Sequence, residues 1–160
     1  MNHNCSPEYS NKAEAAATLF RNGANCAQAV LGAFAKECGL TEEQAFKIAS
    51  GFGGGFSRLR EVCGAVSGMV LTANLMCGQS DISDKAAKDA HYALIRMLTA
   101  QFQKETGSLI CRELLGLNEK QTDSPVSEER TAQYYKKRPC VEMVSLAAQI
   151  LEQHFFPAEK

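Results

Sequence analysis

The feature that most constrains the fold is a long proline-free stretch between Pro7 and Pro125. Proline interrupts helices, and its absence here coincides with apolar residues spaced at the helical period. The residues after Asn25 illustrate this spacing: Ala27, Val30, Leu31 and Phe34. No segment alternates apolar and polar residues cleanly enough for a strand. The sequence therefore predicts an all-α fold, a single compact bundle of about six to seven helices.

The chain has 160 residues, which suits one helical domain over residues 1–160. Within it, residues 1–6 are predicted to form a tail, and residues 117–138 a longer polar loop or short helix. Capping patterns predict where several helices begin. The first helix is expected from about Pro7 to Asn22, with Ser6 as its cap. The other predicted starts lie at Asn25, Thr41 with Gln44, the region near Ser83, Ser108 and Pro139. Five glycines are predicted to end helices in a left-handed conformation: Gly23, Gly39, Gly78, Gly107 and Gly116.

The segment from Cys63 to Cys77 is apolar nearly all round, which predicts a buried central helix. Gly64 and Gly68 lie four residues apart and leave one face of this helix nearly bare. Glycine is unfavourable inside a helix, so we expect another backbone to pack closely there. Internal packing and packing against a second copy in a homodimer both fit this face.

Charge and hydropathy exclude several classes of partner. The net charge is -1 and the isoelectric point is near 6.3, so we expect no nucleic-acid binding. No apolar run reaches the roughly 18 residues of a membrane-spanning helix, so no membrane insertion is expected. The N-terminus lacks the pattern of a signal peptide, which predicts a cytoplasmic protein.

The seven cysteines are unusual for a chain without a secretory signal. In a reducing compartment, thiols indicate metal binding or redox chemistry before structural disulfides. No two of them form a C-x-x-C pair, which excludes the thioredoxin motif, the usual zinc knuckle and covalent haem attachment.

Four of the cysteines are predicted to lie in the first turn of a helix: Cys26, Cys63, Cys111 and Cys140. A helix N-terminus carries partial positive charge and free N–H groups, which favour the thiolate that attacks disulfides and binds metals. Cys38 and Cys77 lie at helix C-terminal ends and are expected to be poor ligands, while Cys5 lies in the tail.

The glycine-rich stretch from Gly51 to Arg58 precedes Cys63. It is a poor nucleotide fingerprint because no strand comes before it, so no nucleotide is expected. One interpretation is a flexible connection. The other is a backbone nest facing a cluster or anion, with these candidate contacts: Gly53, Gly54, Gly55, Gly64 and Arg58, with Arg60 adding charge.

Two further features have a simple and a functional interpretation. The basic run Lys136-Lys137-Arg138 before Cys140 is either solvated or lowers the pKa of that thiol. His91 is expected to be a packing residue rather than a ligand.

The cysteine pattern resembles the C-GCAxxG-C-C family of redox-active proteins. The resemblance lies in Asn25 to Val30, in Gly51 to Gly55, in the run Cys63-Gly64-Ala65-Val66-Ser67-Gly68, and in Cys111 and Cys140. It covers nearly the whole chain and implies that Cys26, Cys63, Cys111 and Cys140 are the family's four cysteines. A related pattern occurs in split-Soret cytochromes, which carry an iron–sulfur centre beside their haems. Because haem attachment motifs are missing here, the resemblance to these cytochromes can imply an iron–sulfur cluster but no haem.

Three hypotheses follow, and the sequence leaves open whether the protein is an enzyme. In the first, the four cysteines hold an iron–sulfur cluster for electron transfer to an unknown redox partner. In the second, the protein is a thiol–disulfide oxidoreductase acting through Cys26 and Cys63, with Cys111 and Cys140. In the third, it is a non-enzymatic zinc-binding or interaction protein.

Overall fold

The computed structural model describes residues 11–117 and 123–158. Helices dominate these residues, and the one β-type contact among them is an isolated antiparallel bridge between Val62 and Ile110. The helices are α1 (Lys12–Arg21), α2 (Cys26–Ala33), α3 (Glu42–Ala49), α4 (Gly53–Phe56), α5 (Gly64–Cys77), α6 (Lys85–Thr106), α7 (Cys111–Leu114), α8 (Ala132–Lys137) and α9 (Cys140–Phe155), with a 3-10 turn at Ser50–Phe52. The predicted all-α fold is confirmed.

The helix count was underestimated because the short helices are too brief to show a period. Helices α4, α7 and α8 have four to six residues each, about one turn or a little more. Helix α8 lies in the region that was predicted as a polar loop or short helix, of which residues 118–122 lie outside the described part.

The core forms where α2, α5 and α9 meet, with α1 packed against α2 and α9. Its largest fully buried side chains include Phe20, Phe34, Phe102, Leu31 and Met69. Burying each such side chain contributes about 1.5–3 kcal/mol to folding. No helix of the described residues is long and apolar enough to cross a membrane.

The bare face of α5 packs against α2, as the two glycines predicted. A Cβ atom on Gly68 would lie 2.8 Å from the Ala27 carbonyl oxygen, and one on Gly64 would lie 2.9 Å from Cys26 Cβ. The close neighbour is therefore inside the same chain. This contact fixes the start of α2 against the start of α5.

Local capping residues set several helix starts. Asn25 and Gln28 form a capping box on α2, and Thr41 and Gln44 form the predicted one on α3. Helix α1 begins at Lys12 and is capped by Asn11, while the predicted start at Ser6 and Pro7 lies outside the described residues.

Helix α6 begins at Lys85, near the predicted start at Ser83, and Asp84 caps it because its side chain accepts the Ala87 N–H. The start of α7 differs from the prediction. Ile110, not Ser108, precedes α7, since the Ser108 hydroxyl accepts the Ile110 N–H at 3.0 Å before the helix begins.

The helix ends predicted at glycines are wrong at two sites. Helix α2 ends at Ala33, and Gly39 follows later in a turn, because the chain leaves the helix after Phe34. Gly78 has a φ of -63° and a ψ of 145°, an extended conformation instead of the left-handed one. The other four adopt positive φ: Gly23, Gly39, Gly107 and Gly116.

Candidate functional site

Four cysteines line one cavity of about 60 Å³. Cys26, Cys111 and Cys140 are the first residues of α2, α7 and α9, and Cys63 is the residue before α5. The structure thus brings together, from four different helices, the cysteines that helix position had singled out.

Backbone pairing places Cys63 beside Cys111. The Cys63 N–H donates to the Leu109 carbonyl at 2.8 Å, and the Cys111 N–H donates to the Glu61 carbonyl at 2.6 Å. These bonds flank the bridge between Val62 and Ile110 and hold the two chain segments in register. The Cys63 sulfur also accepts the backbone N–H groups of Ala65 and Val66 at the start of α5.

The four cysteines differ in exposure as whole residues. Cys63 and Cys111 are 5% and 7% exposed. Cys26 and Cys140 are partly exposed residues, and a side-chain hydrogen bond joins their thiols. Burial also raises the pKa of Cys26, so exposure of this residue does not put its sulfur at the surface.

Cys140 is the thiol of the cavity whose pKa is lowered. The hydrogen bond from Cys26 is the main cause, and the charges of Arg138, Arg130 and Arg60 add to it against the opposing effect of burial. A lowered pKa increases the thiolate fraction near neutral pH, and the thiolate is the reactive form.

The other three thiols have raised pKa values, which corrects the expectation that helix N-termini would favour the thiolate at all four. The hydrogen bond to Cys140 and burial raise the pKa of Cys26, and burial raises that of Cys63 to about 12. Burial also raises the pKa of Cys111 although Arg60 opposes it. Removing a charge from water outweighs the helix dipole, which contributes only about 0.3–1 kcal/mol.

Three arginines line the cavity: Arg60, Arg130 and Arg138. Arg60 is 3% exposed, and its Nη1 donates to Cys111 Sγ at 3.8 Å while its Nε binds Asp123 Oδ2 at 2.5 Å. Arg138 pairs with Glu128. The sequence had singled out Arg60 and the basic run that contains Arg138.

Arg130 and Tyr134 also line the cavity, and sequence reasoning missed both. The Arg130 guanidinium lies 4.3 Å from the Phe20 ring centroid and 4.9 Å from that of Tyr134. Arg130 lies in a polar segment without periodicity, so no local signal connects it to Phe20. Only the meeting of distant segments reveals these contacts.

The glycine-rich stretch forms a packed turn against the cysteines. Gly54 and Gly55, both with positive φ, line the cavity. Gly64 at the start of α5 lines it as well. A Cβ atom on Gly55 would lie 2.5 Å from Cys111 Cβ, so only glycine allows this approach. The nest interpretation stays a prediction for these lining residues.

Gly53 and Arg58 lie beside the cavity and outside its lining. A Cβ on Gly53 would meet the Asn25 side chain at 2.4 Å. Arg58 Nε donates to the Ser124 carbonyl at 2.7 Å, and the guanidinium pairs with Asp123 and Glu128. Arg58 therefore ties the glycine-rich turn to the segment that follows residue 122.

The remaining cysteines and His91 lie away from this site. Burial raises the pKa of Cys38 and of Cys77, and the Cys77 thiol donates to the Ala73 carbonyl at 3.3 Å. His91 contacts Asn74 Oδ1 at 2.6 Å through Nε2. Cys5 lies outside the described residues.

Among residues 11–117 and 123–158, no group of three or more Cys, His, Asp or Glu side chains has the arrangement to hold a metal ion. The shared cavity therefore places the four thiols around a common space without gathering them at one ion-sized point.

A comparison with protein-family models finds one described as "Putative redox-active protein (C_GCAxxG_C_C)", which matches residues 24–154. The chain belongs to this C_GCAxxG_C_C family. The match spans all four cavity cysteines, and the family's description is a redox role. No curated protein matches the chain, and no solved structure matches it.

Proposed function

We propose that this C_GCAxxG_C_C protein is a thiol–disulfide redox protein in which Cys26 and Cys140 alternate between dithiol and disulfide. The observation that carries the proposal is the side-chain hydrogen bond between these two thiols, which lowers the pKa of Cys140 and raises that of Cys26. The sequence-based hypothesis paired Cys26 with Cys63, whereas the contact favours Cys140 as its partner.

The two thiols differ in the way that such a reaction requires. The arginine charges and the hydrogen bond from Cys26 stabilise the Cys140 thiolate, so Cys140 is the attacking group. The raised pKa of Cys26 keeps its proton in place until the second step. Cys26 is therefore the resolving group.

The proposed reaction transfers two electrons to a disulfide substrate. The Cys140 thiolate attacks one substrate sulfur, forms a mixed disulfide and releases the other substrate sulfur as a thiolate, which takes up a proton. Cys26 then loses its proton and attacks Cys140 Sγ. This step forms the Cys26–Cys140 disulfide and releases the second substrate sulfur as a thiol.

A trapping experiment tests this order of attack. In a Cys26→Ser variant, the mixed disulfide at Cys140 cannot be resolved, so incubation with oxidised glutathione should leave glutathione on Cys140 in the intact mass. The matched control is Cys77→Ser, which removes a thiol outside the cavity and should behave as wild type. A Cys26→Ser variant that takes up no glutathione, or carries it elsewhere, contradicts the proposal.

A second candidate is an iron–sulfur protein, favoured by the convergence of four thiols and three arginines on one cavity. Four cysteine ligands suit such clusters, and the arginines would offset their negative charge. Cys26, Cys63, Cys111 and Cys140 would hold the cluster, which would supply one-electron transfer. Nothing in the described residues favours the zinc-binding hypothesis over these two.

Metal analysis distinguishes the two candidates. Protein purified without oxygen should be colourless and free of iron and acid-labile sulfide if the dithiol function is correct. A brown protein with iron and sulfide, lost in Cys63→Ser and kept in Cys77→Ser, would establish the cluster instead.

A further inference from the structure

Arg60 carries a buried hydrogen-bond donor that no described residue pairs with. Its side chain is 3% exposed, and its Nη2 has no hydrogen-bond partner among the described residues. Native proteins pair nearly all such groups, because leaving a charged donor unpaired inside the protein is costly. Since Arg60 lines the four-cysteine cavity, an acceptor bound in that cavity would complete the hydrogen bonds of its guanidinium.

The charges around the cavity favour an anion as that acceptor. Arg60 and Arg138 have the carboxylates of Asp123 and Glu128 as partners, and both carboxylates also pair with Arg58. Arg130 donates instead to the carbonyls of Phe20 and Ala24, which do not neutralise its charge. Among the described residues, these arginines therefore outnumber the carboxylates that pair with them.

The size of the cavity limits the anion to a few atoms. A water needs about 10–15 Å³ of such space, so a cavity of about 60 Å³ holds about four waters. A nucleotide does not fit in this volume. A small inorganic oxyanion does, and its oxygens accept from a planar guanidinium.

We propose that the cavity binds a small inorganic oxyanion through Arg60, and that this anion is an oxidising substrate of the Cys26–Cys140 pair. Binding of the anion rests on Arg60 alone, and its role as an oxidising substrate rests on the proposed dithiol function. Such an oxyanion would reach the thiols inside the cavity, whereas a disulfide substrate would approach them from outside.

The reaction balances as a two-electron reduction. The Cys26 and Cys140 thiols lose two electrons and two protons and form one S–S bond. The central atom of the oxyanion gains the two electrons, and one of its bonds to oxygen breaks. That oxygen leaves as water with the two protons.

Phosphate and arsenate together separate binding from reduction, because the two ions have the same shape and thiols reduce only arsenate. Calorimetric titration of the reduced full-length protein with inorganic phosphate measures binding alone. We expect binding that weakens about tenfold or more in Arg60→Gln, as loss of a charge-assisted hydrogen bond implies. The exposed Arg96→Gln variant is the matched control and should bind as wild type.

A further variant guards against a merely structural effect. Asp123→Asn breaks the ion pair of Arg60 but leaves its guanidinium in the cavity, so it should keep phosphate binding. If phosphate does not bind, or if Asp123→Asn weakens binding as much as Arg60→Gln, the proposed anion site is wrong.

Arsenate tests whether the bound anion is an oxidising substrate of the Cys26–Cys140 pair. We expect the reduced protein to lose two thiols per chain with arsenate, form the Cys26–Cys140 disulfide and release one arsenite, while Cys38→Ser does the same. Phosphate binding without thiol loss in arsenate overturns the substrate inference. If oxidised glutathione also fails to form the Cys26–Cys140 disulfide, the proposed dithiol function is wrong as well. If glutathione forms this disulfide and arsenate does not, only the substrate inference is wrong.

Discussion

At the scale of single residues, the thiols of one cavity differ sharply in reactivity. The lowered pKa and partial exposure of Cys140 predict that it reacts first with iodoacetamide near neutral pH. Cys63, with a pKa of about 12 and 5% exposure, should stay unmodified. Because the thiolate is the reacting form, labelling of Cys140 should persist to lower pH than labelling of Cys77.

Peptide mapping after short labelling at a series of pH values checks this prediction. A Cys140→Ser variant should lose the fast phase, and Cys38→Ser should keep it. Equal labelling rates at Cys140 and Cys77 across the pH series would contradict the assigned order.

The approach of Gly55 to Cys111 gives a second prediction at this scale. Gly55→Ala places a Cβ 2.5 Å from Cys111 Cβ, whereas Gly116 has a similar positive φ and nothing within 4 Å of such a Cβ. Both substitutions carry the left-handed strain, about 1–2 kcal/mol. Gly55→Ala should lower the free energy of unfolding by about 1–3 kcal/mol more than Gly116→Ala. Urea denaturation of both variants measures the difference, and equal losses would refute the close contact.

At the scale of helices, the crossing of α2 and α5 positions Cys26 and Cys63. A Cβ on Gly68 would lie 2.8 Å from the Ala27 carbonyl, a backbone atom that cannot rotate away. Gly68→Ala should therefore destabilise the protein by about 1–3 kcal/mol and shift the start of α2. Ser67→Ala, at the neighbouring and partly exposed position, should change stability by less than about 0.5 kcal/mol.

The Gly68→Ala variant should also slow disulfide formation between Cys26 and Cys140, because Cys26 begins the displaced helix. Urea denaturation and thiol titration of the two variants measure these effects. A Gly68→Ala variant as stable as wild type would show that the helices tolerate a wider separation.

Sequence predicted the helical features that depend on neighbouring residues. The capping boxes at Asn25 and Thr41 involve residues three positions apart, and the close packing of α5 follows from Gly64 and Gly68. The contact between Cys26 and Cys140 joins opposite ends of the chain, so spacing could not select it among the pairings of four cysteines. The pKa values were mispredicted for the same reason, because burial depends on the whole fold.

At the scale of the whole molecule, ion pairs join the glycine-rich turn to the segment after residue 122. Arg60 holds the pKa of Asp123 below its usual value, mainly by a hydrogen bond. A lowered folded-state pKa means that this pair stabilises the protein above the unfolded pKa, about 3.9. The stabilisation is lost as the pH falls below that value through the folded pKa.

We expect Asp123→Asn to be less stable than wild type near pH 6 and to lose less stability on acidification. Urea denaturation between pH 6 and pH 3 measures this slope. In an Arg60→Gln background the same substitution should change the slope less, because only Arg58 and Arg138 then lower the pKa of Asp123. An equal slope in Asp123→Asn and wild type would show that the pair does not contribute to acid sensitivity.

The most direct test of the whole account is a redox titration of the full chain with disulfide mapping at each potential. The protein is equilibrated in dithiothreitol buffers, its thiols are trapped by acid and alkylation, and its peptides are analysed by mass spectrometry. The account predicts one two-electron transition that joins Cys26 to Cys140, while Cys38 and Cys77 stay reduced. A transition that joins other cysteines, or thiols that stay reduced throughout, would contradict it.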